Sequence, residues 1–159
     1  MVRRVTPALL VIALALAAAG CGDDDDSSSS TTTTTALTKT EFIREANRIC
    51  KQQDKKIERA SQQFFADAPN DEEPPPKEVA QFGEKTVFPA IQDEIDRVEA
   101  LGAPAGDEDQ VKAMLDAAKS GLADLEAHPD QLEKGGIASS FEKYQKFASA
   151  YGLDECASG

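Results

Sequence analysis

Apolar residues recur at steps of three, four and seven along four stretches of the chain. Phe42, Ala46, Ile49, Cys50, Ile57, Ala60 and Phe64 make the first stripe, and Val79, Phe82, Val87, Ile91, Ile95, Val98 and Leu101 the second. Val111, Met114, Leu115, Ala118, Leu122 and Leu125 make the third; Phe141, Tyr144, Phe147 or Ala148, and Tyr151 make the fourth. That spacing puts side chains on one face of an α-helix. No stretch alternates with the period of two that a half-buried strand requires. The pattern predicts an all-α fold, an antiparallel four-helix bundle joined by short loops.

The residues between the stripes say where each helix stops and starts. Thr38 and Glu41 have the spacing of a capping box, and Leu37 and Phe42 that of a hydrophobic staple, so the first helix begins there. The run from Asp67 to Pro76 is rich in proline and breaks it. The second helix is expected from about Lys77 to Leu101, with Pro89 kinking or splitting it near Phe88. Gly102 to Gly106 ends it. Asp107, Glu108 and Asp109 open the third helix at the positive end of its dipole, and His128-Pro129 closes it. A turn from Pro129 to Lys134 leads to Gly135-Gly136. The fourth helix then starts at Ile137 or Ser139, where Ser139 and Glu142 match another capping box. Gly152 stands where a helix ends in the left-handed conformation, with Leu153 able to fold back on the last turn.

The first 36 residues are of another kind. Arg3 and Arg4 precede an apolar run from Val5 to Ala19, closed by Gly20 and Cys21. A basic start, a short apolar stretch and small residues at its end describe an export signal. The run is shorter than the roughly 20 residues that span a bilayer. Ala18-Ala19-Gly20-Cys21 resembles the lipobox of bacterial lipoproteins, with Ala18 where that family usually has leucine. The resemblance implies cleavage just before Cys21 and a diacylglyceryl group on its sulfur. The alternative is an ordinary cut after Ala17-Ala18-Ala19, which leaves Cys21 a free thiol. Gly22 to Ala36, mostly Asp, Ser and Thr, has nothing large to bury and reads as an extended spacer. The expected organisation is a signal over 1–20, a lipidated tether over 21–36 and a helical domain over 37–159.

Charge and cysteines narrow the partners. The whole chain has 17 basic and 29 acidic residues. Without Arg3 and Arg4 the balance is 15 against 29, or −14. Such a chain is repelled by nucleic acid and by anionic headgroups, so membrane attachment falls to the acyl chains on Cys21, two of which make a stable anchor. The expected location is the outer face of the cytoplasmic membrane. Arg44, Lys51, Lys55, Lys56 and Arg59 form a basic face on the first helix, read as pairing with acidic neighbours. Cys50 and Cys156 are either one disulfide, as an even pair outside the cytosol suggests, or two buried thiols.

Phe42-x3-Ala46-Asn47-x-Ile49-Cys50 near the start and Tyr151-Gly152-Leu153-x2-Cys156 at the end resemble small secreted lipoproteins of actinobacteria. The likeness implies the Cys50–Cys156 bridge and an envelope location, and it carries no activity. The residues themselves point away from catalysis. His128 is the one histidine, no Glu stands three residues before it, and no nucleophile elbow or phosphate loop is present. No metal, cofactor or catalytic residue is predicted. Asp93, Glu94 and Asp96 are read as surface carboxylates of an acidic chain. The aromatic residues are spaced as core, with a ligand slot between helices as the alternative. Phe65, Phe88 and whichever of Phe147 and Ala148 faces outward are the expected exposed apolar surface. The functional expectation is a non-enzymatic interaction or scaffold module that binds an envelope protein. The alternative is a carrier of a small apolar ligand within the bundle.

Overall fold

The structure, a computed structural model, describes residues 36–68, 73–132 and 137–158. The predicted signal, Cys21, the tether up to Thr35 and Gly135-Gly136 lie outside the described residues. Among the described residues all regular structure is helical: α1 (Lys39–Ala66), α2 (Pro76–Phe82), α3 (Phe88–Glu99), α4 (Glu108–Ala127), α5 (Ile137–Ser140), α6 (Glu142–Tyr151) and α7 (Asp154–Ala157). A π-helical turn, Gly83–Val87, joins α2 to α3, and a 3-10 turn, Pro129–Gln131, follows α4. α1 packs on α3 and α7, α3 on α4, and α4 on α6. None of these helices is long and apolar enough to cross a membrane.

The start of α1 is capped as its sequence requires. The Glu41 N–H donates to the Thr38 hydroxyl at 3.3 Å, and the Thr38 N–H donates to the Glu41 carboxylate at 2.9 Å. Phe42, Ala46, Ile49 and Cys50 are buried, and so is Gln53, a polar residue at a stripe position. Its amide nitrogen donates to the Ala90 carbonyl at 3.3 Å and to the Asp93 carboxylate, tying α1 to α3. A buried amide is tolerated only when bonded in this way.

Pro89 acts one turn before itself. It has no N–H to give the carbonyl four residues back, and its ring crowds that turn. The backbone widens instead: the Phe88 N–H donates to Gly83 O, five residues away. The extra residue turns Phe88 inward, so it is 5% exposed and not the surface aromatic its sequence position suggests. Gly83 lets Leu132 pack close to this turn, and a Cβ there would oblige the Leu132 side chain to move.

The third stripe is buried as predicted, from Val111 to Leu125. Gly121 on its surface lets α4 approach the chain closely: a Cβ there would lie 2.8 Å from Ser140 O and 2.9 Å from the Phe141 ring. The fourth helical stretch is broken at Phe141, which is the N-cap position of α6. The proposed Ser139–Glu142 capping box does not form, and no side chain caps α6. Glu142 pairs instead with Lys146 at 2.7 Å. Ala148 is fully buried and Phe147 is 37% exposed, which decides the inward residue of that pair. At the end of α6 Gly152 takes φ 96°, with its N–H on Ser149 O and the Leu153 N–H on Ala148 O at 2.8 Å. These two bonds make a Schellman motif, and Leu153 folds back fully buried.

Candidate functional site

The residues of the sequence signature meet at one end of the fold. Cys50 and Cys156 form a disulfide that joins α1 to α7 across 106 residues of sequence. One helical turn from Cys50, the Asn47 side chain donates to Gly152 O at 3.2 Å and accepts from the Glu155 N–H at 3.0 Å. Lys51 pairs with Glu155 at 2.7 Å. Phe42 meets the edge of Tyr151 with ring centroids 5.9 Å apart. The Tyr151 hydroxyl donates to Asp107 at 2.7 Å, and Lys39 completes the group, 3.2 Å from Asp107 and 4.2 Å above the Tyr151 ring. The Tyr151 hydrogen bond holds Asp107 below the usual carboxylate range, while burial and that same bond push the Tyr151 phenol up. Every polar group in this cluster has a partner. It is a clamp between the start of α1 and the end of the chain.

Beside the clamp lies a cleft of about 350 Å³. α1 contributes Asp54, Ile57 and Glu58, the helical run across Pro89 contributes Val87, Ile91 and Glu94, and α5 contributes Ile137. Phe141, Tyr144, Gln145, Cys156 and Ser158 complete its lining. Half of its lining residues are branched aliphatic or aromatic, with a few polar groups among them, as in small-molecule sites. Other concavities have similar volumes without those walls, such as the one along Glu84, Phe88, Pro89, Gln92 and Glu126. Two of the positions follow from the fold features above. The widened turn before Pro89 sets the face that Val87 and Ile91 present, and Gly121 gives the Phe141 ring the space to lie beside the cleft.

The polar groups of the cleft are its unusual part. Burial, reinforced by Asp54 and partly offset by Arg97, pushes the Glu94 carboxyl up to about 7. Burial and then Glu155 raise the Asp54 carboxyl. Burial and then Glu94 and Asp54 raise the Tyr144 phenol. Glu94 takes no hydrogen bond and no ion pair from another described residue. Arg97, its nearest positive influence, is engaged by Gln52 at 2.9 Å and Asp93 at 3.6 Å. Phe141 and Tyr144 stand edge to face, 6.1 Å apart at 74°.

Of the residues singled out from sequence, Cys50 and Cys156 come together. His128 is exposed, its Nδ1 3.1 Å from Asp124 O and 3.3 Å from the Asp124 carboxylate. Among the described residues no group of three or more His, Cys, Asp or Glu is placed to hold a metal ion. Asp93 and Asp96 are exposed, whereas Glu94 is partly buried in the cleft and departs from the surface reading. The signal was present: Glu94 follows Ile91 by three and precedes Val98 by four, which puts it on the apolar face. Asp54 likewise follows Cys50 by four and precedes Ile57 by three. The chain matches no known protein family, no curated protein and no solved structure.

Proposed function

We propose that this is a lipid-anchored extracytoplasmic binding protein whose helical domain carries a small, largely apolar molecule in the cleft between α1, α3 and α6. The observation that carries the reading is the cleft, where aliphatic and aromatic walls surround the Glu94 and Asp54 carboxyls, to which no other described residue donates. The domain is read as an antiparallel four-helix bundle whose helical runs are α1, α2 with α3, α4, and α5 with α6. A bundle places ligand sites between facing helices. Lipidation at Cys21 and the spacer that follows support an anchor at the outer face of the cytoplasmic membrane. The residue inventory, without a nucleophile paired to a base, favours carriage over catalysis. Native mass spectrometry of the full chain released from its own envelope tests the reading. A bound mass of small-molecule size is expected; the apo mass alone, repeated after gentle extraction, contradicts it.

A second reading has its own observation. Phe65 is 52% exposed near the end of α1, beside Phe64, which stacks on Phe82 at 4.5 Å. An exposed aromatic on a firm base suits a scaffold module that docks another envelope protein. Crosslinking from position 65 in intact cells tests it. A discrete protein adduct is expected, and a pattern no different from a buried control position counts against it.

A further inference from the structure

The two tyrosines of α6 that face inward stand seven residues apart, two helical turns along one face. Each meets carboxylate chemistry. At Tyr151 the set is complete: an aromatic ring, the Asp107 carboxylate, and the Lys39 ammonium over the ring and on the carboxylate. At Tyr144 the ring and the carboxylates are present, but among the described residues no ammonium is. The groups that bear on Glu94 and its neighbour Asp54 are Asp54 and Glu58 from α1, Tyr144 from α6, Glu155 from α7 and Arg97 from its own helix. Only Arg97 among them is positive, and Gln52 and Asp93 hold it.

Resting on the carrier reading, we propose that the cleft selects a small hydrophobic amine. Its ammonium lies among Tyr144, Glu94 and Asp54, and its chain lies along Ile57, Ile91 and Ile137. The protein thus contains its own template for the ligand head, in the Lys39 ammonium at Tyr151. The chemistry is that by which aromatic faces and carboxylates recognise ammonium ions. A cleft of about 350 Å³ takes roughly a dozen non-hydrogen atoms at the ~30 Å³ that a water occupies in the liquid. An ammonium on an eight-carbon chain fits that size. A neutral ligand leaves the carboxyl pair as it is, and an anionic one adds a like charge to it.

The cation couples binding to a proton. Glu94 titrates at about 7 in the empty cleft, and an ammonium beside it favours the ionised form, so the Glu94 proton leaves for solvent as the amine enters. An alkylammonium keeps its charge across this range, as lysine does. Glu94 is about nine-tenths ionised at about pH 8 and about one-tenth at about pH 6, so affinity falls roughly tenfold between them.

The test is isothermal titration calorimetry on the full chain in nanodiscs of zwitterionic lipid, with empty discs as the blank. The probes are octylammonium, 1-octanol and octanoate. At about pH 8 octylammonium is expected to bind at least about tenfold tighter than octanol, with octanoate weakest. Proton release, read from the dependence of the heat on buffer ionisation, should accompany octylammonium near neutral pH and be absent for octanol. The double variant Glu94→Gln with Asp54→Asn should keep octanol binding and melt cooperatively at or above the wild-type Tm while losing the preference for the amine. Equal affinity for octanol and octylammonium overturns the selection of an amine and leaves an apolar carrier. A double variant that folds and keeps the preference also overturns it. Binding of none of the three probes overturns this inference and the carrier reading together.

Discussion

Tyr151 and Tyr144 lie on the same helix, face the same way and meet the same kinds of neighbour, yet their surroundings differ in one respect. Tyr151 donates to a carboxylate that also holds a lysine, beside a disulfide and a Schellman turn. Tyr144 stands near two carboxyl groups with no lysine among the described residues, on the wall of the cleft. In the first arrangement the carboxylate has both its partners, which serves stability. In the second, desolvation of the Glu94 charge is a standing cost to the fold. Strongly perturbed carboxyls of this kind cluster at functional sites, and the contrast separates a partnered cluster from one whose carboxyls no other described residue bonds, along a single helix.

The sharpest way to break the contrast is to open the clamp. Removing the bridge with Cys50→Ala and Cys156→Ala frees a loop of 106 residues and is expected to cost about 4 kcal/mol in the chain-entropy account, read by urea denaturation. A loss below about 1 kcal/mol would mean that Asn47 and the Schellman turn hold the end of the chain without it. Glu94→Gln comes next and acts in the opposite direction. The folded carboxyl titrates near 7, above its ordinary value of 4.5. Its ionisation therefore removes stability as pH rises from about 4.5 to about 7, and the whole penalty, about 3 kcal/mol, stands above that range. The variant should be more stable than the wild type by up to that amount at about pH 8 and equal to it at about pH 4, by paired denaturation curves. A gain that does not vary with pH would trace to packing. The smallest effects come from the hydroxyls. Tyr151→Phe leaves Asp107 with Lys39 as its remaining partner and should lower Tm by a few degrees. Tyr144→Phe, which breaks no bond to a described residue, should leave Tm within about a degree. Equal losses would remove the distinction between the two sites.

Much of the clamp was legible in the sequence. Thr38 with Glu41, and Gly152 with Leu153, are local signals: a few neighbouring residues satisfy the free backbone groups of a helix end, and no distant partner is needed. The capping box proposed at Ser139 failed because Phe141, packed against Gly121, stops α5 and restarts the helix two residues later. Pro89 announced a disturbance but not its form, since a kink and a π turn both answer a missing N–H. That choice reversed the exposure of Phe88. The cleft was harder to read. The periodicity that marks Ile57, Ile91 and Tyr144 as inward also covers Asp54 and Glu94, but a carboxylate in so acidic a chain reads first as surface. The partners of those two residues come from helices far apart in sequence, so only the assembled fold shows what they face.

The account rests most directly on Glu94, and carbon-detected NMR titration of its side-chain carboxyl reads that group without interference from the rest of the chain. A midpoint of about 7 is predicted for the free protein, moving down toward the ordinary carboxylate range when octylammonium is added and staying in place with octanol. A midpoint already near 4.5 in the free protein, or one that the amine does not move, would contradict it.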